Sequence, residues 1–161
     1  MTFLFHHSKI YPKLIWIAGL MDNIKKNLTN IREGFSILDG QDKLVYLIDL
    51  GKKLDLIDKS ECNENNKIHA CTSQTWVKLE FNNDMASFKA LSESVVVKGL
   101  LRILQIAFNN SEKKSIINFI NSFDDCNSLF EWLNLGPAIS SQRQNGFLGS
   151  LEYIKKELNN A

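Results

Sequence analysis

The sequence predicts an α+β fold in one domain: helices, then a small antiparallel sheet of about three strands, then helices again. Three observations predict it. Apolar residues recur at steps of three and four before residue 58 and again after residue 94, the period of a helix face. Between them, residues 76–81 and again 85–91 alternate apolar and polar side chains, the period of a half-buried strand. A chain of 161 residues, 44% of them apolar, can close one core without a metal or disulfide staple.

The first helix is read from Asp22, with Ile24, Leu28, Ile31 and Phe35 on its inner face. Asp39 is placed as N-cap of a second helix whose buried stripe is Leu44, Val45, Leu47, Ile48 and, near its end, Leu54. Gly51 weakens that end. Residues 58–66 are polar and rich in breakers, hence a loop. Ile68 begins the sheet. Val77, Leu79 and Phe81 share one face of the next strand, Lys78 and Glu80 the other, and Asn82-Asn83-Asp84 makes a hairpin-type turn into a strand marked by Ala86, Phe88 and Ala90. After Ser92-Glu93-Ser94 the stretch 95–108 is apolar nearly all round, with Lys98, Arg102, Gln105 and Asn109 as its polar stripe, which suits a helix at the centre of the core. Shorter helices follow at about 112–123 and 128–135, Gly136-Pro137 stops the pattern, and a last helix over 141–158 turns Phe147, Leu151, Ile154 and Leu158 inward. Trp76 and Trp132 are assigned to the core.

Residues 1–20 stand apart: they contain no acid and carry His6, His7, Lys9, Lys13 and Trp16. A targeting peptide and an appendage ahead of a start at Met21 are both open. The absence of an Ala-x-Ala site, and of any arginine before Arg32, favours the appendage, so the domain is read as 21–161.

Charge and cysteine usage narrow the functional classes. Nineteen basic against eighteen acidic side chains give a net charge of +1, and no basic block interleaved with aromatics is present, so nucleic acid is not an expected partner. No apolar run is long enough for a membrane span. Three cysteines, an odd number, argue against a secreted disulfide framework and for a reducing, cytoplasmic setting.

The segment richest in chemistry is 66–76, Asn-Lys-Ile-His-Ala-Cys-Thr-Ser-Gln-Thr-Trp. Cys71 has small or hydrogen-bonding neighbours, which suits a nucleophile or sulfur carrier; a plain buried cysteine fits the local sequence equally well. Lys67, His69 and Cys71 share parity, so an extended backbone would set two cations beside the sulfur. If Cys71 lies in a turn instead, that face dissolves, and Ser73 or backbone amides become its partners. Cys62 and Cys126, each between an acid and an asparagine, are read as incidental surface thiols, and no C-x₂₋₄-C pair indicates zinc. A Cys–His hydrolase needs a third group to hold its base, and none is nominated. Arg143, between two serines and Gly146, either binds a carboxylate on a partner or faces water; composition alone favours water.

Four ordered segments carry a resemblance: 44–51 (LVYLIDLG), 66–76 with its Cys-x-Ser-x-x-Trp, 97–101 (VKGLL), and 135–146 ending Arg-x-Asn-Gly. From about Met21 to the C-terminus the chain resembles the SufE family, sulfur-acceptor proteins of iron–sulfur cluster assembly. The resemblance implies a SufE/IscU-like fold with a small sheet packed on helices. It also implies that Cys71 takes persulfide sulfur from a SufS-like cysteine desulfurase, stimulates that enzyme, and passes the sulfur to a SufBCD-like scaffold. Arg143 falls on the family's arginine near the last helix, as a contact for the desulfurase. Asn66, His69 and Ser73 are the supporting residues of the acceptor loop. The pyridoxal phosphate belongs to the desulfurase, so no cofactor is expected here, and no metal. An Fe–S scaffold-type protein and a stand-alone thiol enzyme are the alternatives. One departure stands out: Ala70 occupies the family's glycine position, and a positive φ there would cost alanine about 1 kcal/mol.

Overall fold

The computed structural model describes residues 11–160, with side chains from Asn23 onward. Among the described residues, six α-helices and one two-stranded antiparallel sheet form an α+β fold. The helices are α1 (Tyr11–Ser36), α2 (Gly40–Gly51), α3 (Val95–Phe108), α4 (Lys113–Asn121), α5 (Cys126–Trp132) and α6 (Ser141–Asn160). The strands are β1 (Thr75–Asn82) and β2 (Met85–Ser92), and short 3-10 turns occupy Lys59–Glu61 and Gly136–Ala138. His6, His7 and Lys9, and the side chains of Lys13 and Trp16, lie outside the described residues. The first helix nevertheless starts at Tyr11 and runs unbroken through Met21, earlier than its expected start at Asp22.

Helix α3 sits at the centre, as its all-round apolar pattern requires, and packs against α1, α2, α6 and β2. Ser94 caps it, its hydroxyl accepting from the Val97 amide at 3.3 Å. Around α3 the expected inner faces are buried: Ile24, Leu28, Ile31 and Phe35 of α1, and Phe147, Leu151, Ile154 and Leu158 of α6. Phe35, Phe88, Phe108 and Phe147 are fully buried, each stabilising by roughly 1.5–3 kcal/mol relative to an exposed ring. In α2, Leu47 is buried but Val45 is half exposed, because the helix meets the core along a narrower stripe than its apolar content suggests. Asp39 stands at the N-cap of α2 without making a side-chain cap bond.

The contact between α2 and α3 is backbone to backbone. A β-carbon on Gly51 would lie 2.7 Å from the Gly99 amide nitrogen, and one on Gly99 would run into the Leu47 carbonyl. Only glycines permit this crossing. The polar stripe of α3 is not solvated as a stripe of this kind usually is. Gln105 is fully buried: its Nε2 donates to the Phe88 carbonyl at 2.8 Å, and its Oε1 accepts from the Asp55 amide at 3.0 Å and from Arg102. One amide side chain thus ties α3 to β2 and to the segment after α2.

The sheet has two strands rather than about three. Strands β1 and β2 pair in register from Thr75↔Ser92 to Asn82↔Met85. They are joined by Asn83 and Asp84, both at positive φ (49° and 66°), the pattern of a two-residue type I′ hairpin. The expected first strand shrinks to one bridge, Lys67↔Trp76, flanked by bonds from the Ile68 amide to the Thr75 carbonyl and from the Val77 amide to the Asn66 carbonyl. The chain then turns at 69–70, where the Cys71 amide donates to the Ile68 carbonyl at 3.2 Å, and leaves the sheet. Trp76 lies on the opposite face of β1 from buried Thr75 and Val77, only partly buried beneath Lys67, rather than in the core.

Candidate functional site

Cys71 follows that turn directly. It is partly buried and packs against the core cluster. Its seat is made by two helices. A β-carbon at Gly146, in the first turns of α6, would stand 3.1 Å from Cys71 Sγ and 3.0 Å from Val97 Cγ1 of α3. A β-carbon at Gly149 would stand 2.7 Å from Ile68 Cγ2 and 3.3 Å from Ala70 Cβ. The two glycines, one turn apart, leave a shallow groove along α6 in which the 68–71 turn lies. Ala70 is not among the residues with positive φ (Asn83, Asp84, Asn110, Asn134 and Gly136), so the family's glycine position carries alanine without backbone strain.

The sulfur has a hydrogen-bond donor, but not one the sequence suggested. Thr75 Oγ1 lies 3.4 Å from Cys71 Sγ, 3.1 Å from the Ser73 carbonyl and 2.8 Å from Ser92 Oγ. Ser73 therefore joins the site through its backbone. Thr75 was hidden by its place in the alternating pattern of β1, where a β-branched residue needs no further reason.

The two cations expected beside the sulfur are elsewhere. His69 is exposed, its Nε2 3.5 Å from Glu64 Oε2. Lys67 lies over the Trp76 ring, 4.0 Å from Glu64 Oε1. The turn at 69–70 breaks the shared parity, so neither cation approaches Cys71. Asn66 is buried and acts as a staple: Oδ1 accepts from the Asn63 amide at 2.9 Å, and Nδ2 donates to the Glu61 carbonyl at 3.0 Å. It holds the start of the loop without touching the thiol. Arg143 is exposed one turn before Gly146, and no described residue engages its guanidinium.

The other cysteines differ from expectation in one case. Cys62 is partly exposed in its loop, its thiol raised by burial and by nearby Asp58 and Glu61. Cys126 is not a surface thiol. It opens α5 facing inward, donates to Glu152 Oε1 at 3.1 Å, and is pushed up to about 12 by burial and then by that carboxylate. Polar neighbours in sequence are no guide there, because successive residues at a helix start are about 100° apart around its axis, so Cys126 faces inward while Asp125 and Asn127 stay exposed. Among the described residues no three His, Cys, Asp or Glu side chains gather as a metal-ligand set, and no helix is long and apolar enough to cross a membrane.

Comparison with known proteins adds three findings. Residues 29–158 match a family model described as SufE: Fe-S metabolism associated domain. A protein of Rhizobium meliloti (strain 1021), described as an uncharacterized SufE-like protein, is 30% identical over 136 residues, covering 81% of this chain and 94% of that relative. The solution structure of a hypothetical protein from Thermus thermophilus superposes with a TM-score of 0.61, covering 84% of this chain and 95% of its own; at 14% identity it supports the fold alone.

Proposed function

This chain belongs to the SufE family, associated with Fe–S metabolism, and from that premise we propose that it is a persulfide relay with Cys71 as the acceptor. The Cys71 thiolate attacks the outer sulfur of a persulfide on a cysteine desulfurase. A new S–S bond forms at Cys71, the donor's S–S bond breaks, and the electron pair leaves on the donor's cysteine as thiolate. No net oxidation occurs. The sulfur then passes to an iron–sulfur scaffold by the same exchange. The desulfurase is a SufS-like enzyme, whose pyridoxal phosphate frees sulfur from cysteine, and the receiver is SufBCD-like. This chain needs no cofactor of its own, and it works in the cytoplasm.

One observation carries the reading: Cys71 Sγ is seated against Gly146 of α6, next to Val97 of α3, and is only partly sheltered from solvent. A carrier must hold a labile persulfide away from bulk thiols and still present it to a partner. A sulfur on a turn, seated against a helix but not locked into the core, meets both needs. The absence of a bonding partner for Arg143 among the described residues suits a carboxylate contact with the desulfurase. The three cysteines are free and ungrouped, which favours a relay over a cluster scaffold.

Desulfurase turnover tests this reading. With a cysteine desulfurase, cysteine and a reductant, adding the chain should raise alanine formation. Cys71→Ser should abolish the increase, and Arg143→Ala should demand more chain for the same effect. Stimulation that survives Cys71→Ser would count against the proposal.

A further inference from the structure

A buried hydroxyl pair lies behind the acceptor thiol. Thr75 is fully buried and Ser92 nearly so. They face each other across the first rung of the hairpin, Thr75↔Ser92, with their oxygens 2.8 Å apart. Packing at this position asks only for a β-branched side chain; valine would supply one with no hydroxyl to satisfy. Two buried hydroxyls need a bonding scheme that satisfies both.

Counting hydrogens orders that scheme. Either hydroxyl could donate across the 2.8 Å contact, but Thr75 has two other acceptors and Ser92 has none among the described residues. The scheme that satisfies both hydrogens therefore has Ser92 donating to Thr75 Oγ1, while Ser92 Oγ accepts from the Ser94 amide at 3.2 Å. Thr75 then has one hydrogen and two acceptors, the Ser73 carbonyl at 3.1 Å and Cys71 Sγ at 3.4 Å. A neutral thiol is a weak acceptor, so the carbonyl holds the hydrogen while Cys71 is protonated. A thiolate is a charged acceptor and a much stronger one, so the hydroxyl swings to sulfur when the proton leaves. The chain begins at the N-cap of α3, where Ser94 also accepts from the Val97 amide, so it ends on the positive pole of the central helix.

We propose that Thr75 is a catalytic residue whose hydroxyl stabilises the Cys71 thiolate, and that Ser92 is the positioning residue that aims it. The proposal rests on Cys71 being the acceptor. When Cys71 attacks, its negative charge leaves Sγ and reappears on the donor's cysteine as the leaving thiolate, while the outer sulfur, now bonded to Sγ, keeps the proton or charge it carried on the donor. The Thr75 hydrogen is then released to the Ser73 carbonyl. The hydroxyl thus favours the ionised thiol before transfer and lets go of it afterwards.

The test is the pH profile of Cys71 alkylation by iodoacetamide, read by intact mass in a Cys62→Ser background of the full chain. Sulfur uptake from a cysteine desulfurase is measured on the same proteins. Thr75→Val should slow alkylation about tenfold at neutral pH while leaving the rate at high pH, where the thiol is ionised in either protein, unchanged. Thr75→Ser should return the profile to that of the parent. Ser92→Ala should move it upward by less. A Thr75→Val protein that is folded by circular dichroism and keeps the parent profile overturns the proposal. If Thr75→Val does not fold, an unmoved profile in Ser92→Ala overturns it instead. Failure of the acceptor reading looks different: the profiles shift as stated, yet the parent gains no sulfur at Cys71.

Discussion

At Gly146 the first turns of α6 leave room for one sulfur atom, since a β-carbon there would lie 3.1 Å from Cys71 Sγ and 3.0 Å from Val97 Cγ1. Val97 is buried and cannot retreat, whereas Cys71 is on a turn and can. Gly146→Ala should therefore push the thiol outward and speed its alkylation, read by mass spectrometry. Overpacking of about 1–3 kcal/mol, offset by about 1 kcal/mol from the better helix former, should leave a net loss of about 1 kcal/mol in denaturant unfolding. Cys126 makes a different prediction. Its thiol is held up to about 12 in the folded chain, against an ordinary value of 9.0. Below about pH 9 it is protonated in both states, and its contribution to stability is complete. Between 9 and 12 the unfolded chain gives up the proton and the folded chain keeps it, so stability falls as pH rises. Cys126→Ala should flatten that fall, measured as the change of Tm with pH across this window. Cys71 and Arg143 stand out in the sequence as residues of their motifs. Thr75 does not, because alternation in a strand accounts for a threonine without asking what its hydroxyl does. Cys126 was misjudged because sequence neighbours are not spatial neighbours at a helix start.

The elements that seat the site are α3, α6 and the hairpin, and α2 fixes α3 through the Gly51–Gly99 crossing. A β-carbon at Gly99 meets the Leu47 carbonyl, part of the backbone of α2, so no side-chain rotation relieves it. Gly99→Ala should separate α2 from α3 and cost upward of about 3 kcal/mol, read from the midpoint of chemical denaturation at unchanged slope. A change below about 1 kcal/mol, the helix-propensity scale, would mean that the crossing yields easily. Helical periodicity made α2 and α3 readable, along with the inner faces of α1 and α6, because three- and four-residue steps repeat over several turns. Strand β1 and its turn were readable for the same reason at period two. The supposed strand at Ile68 was not, since one rung and a turn share the alternation of a true strand over so few residues. The buried clamp of Gln105 was also invisible: a glutamine on a polar stripe looks solvated until Asp55 and Phe88 are brought onto it.

The whole molecule is nearly neutral, built on one core, and it presents the Cys71 sulfur at an edge where a turn, two helices and a hairpin end meet. With a net charge of +1, the chain has no strong overall field to select a partner, so the proposed relay relies on local contacts around Cys71 and Arg143. Helices on either side of a sheet were readable from the order of periods along the chain. The meeting of residues 71, 97 and 146 at one point was not, because nothing local relates three segments so far apart. The central claim is that sulfur from a desulfurase comes to rest on Cys71. Intact-mass spectrometry of the chain after incubation with a cysteine desulfurase and cysteine tests it most directly. The account predicts one added sulfur, retained in Cys62→Ser and Cys126→Ser and absent in Cys71→Ser; an added sulfur that persists without Cys71 would contradict it.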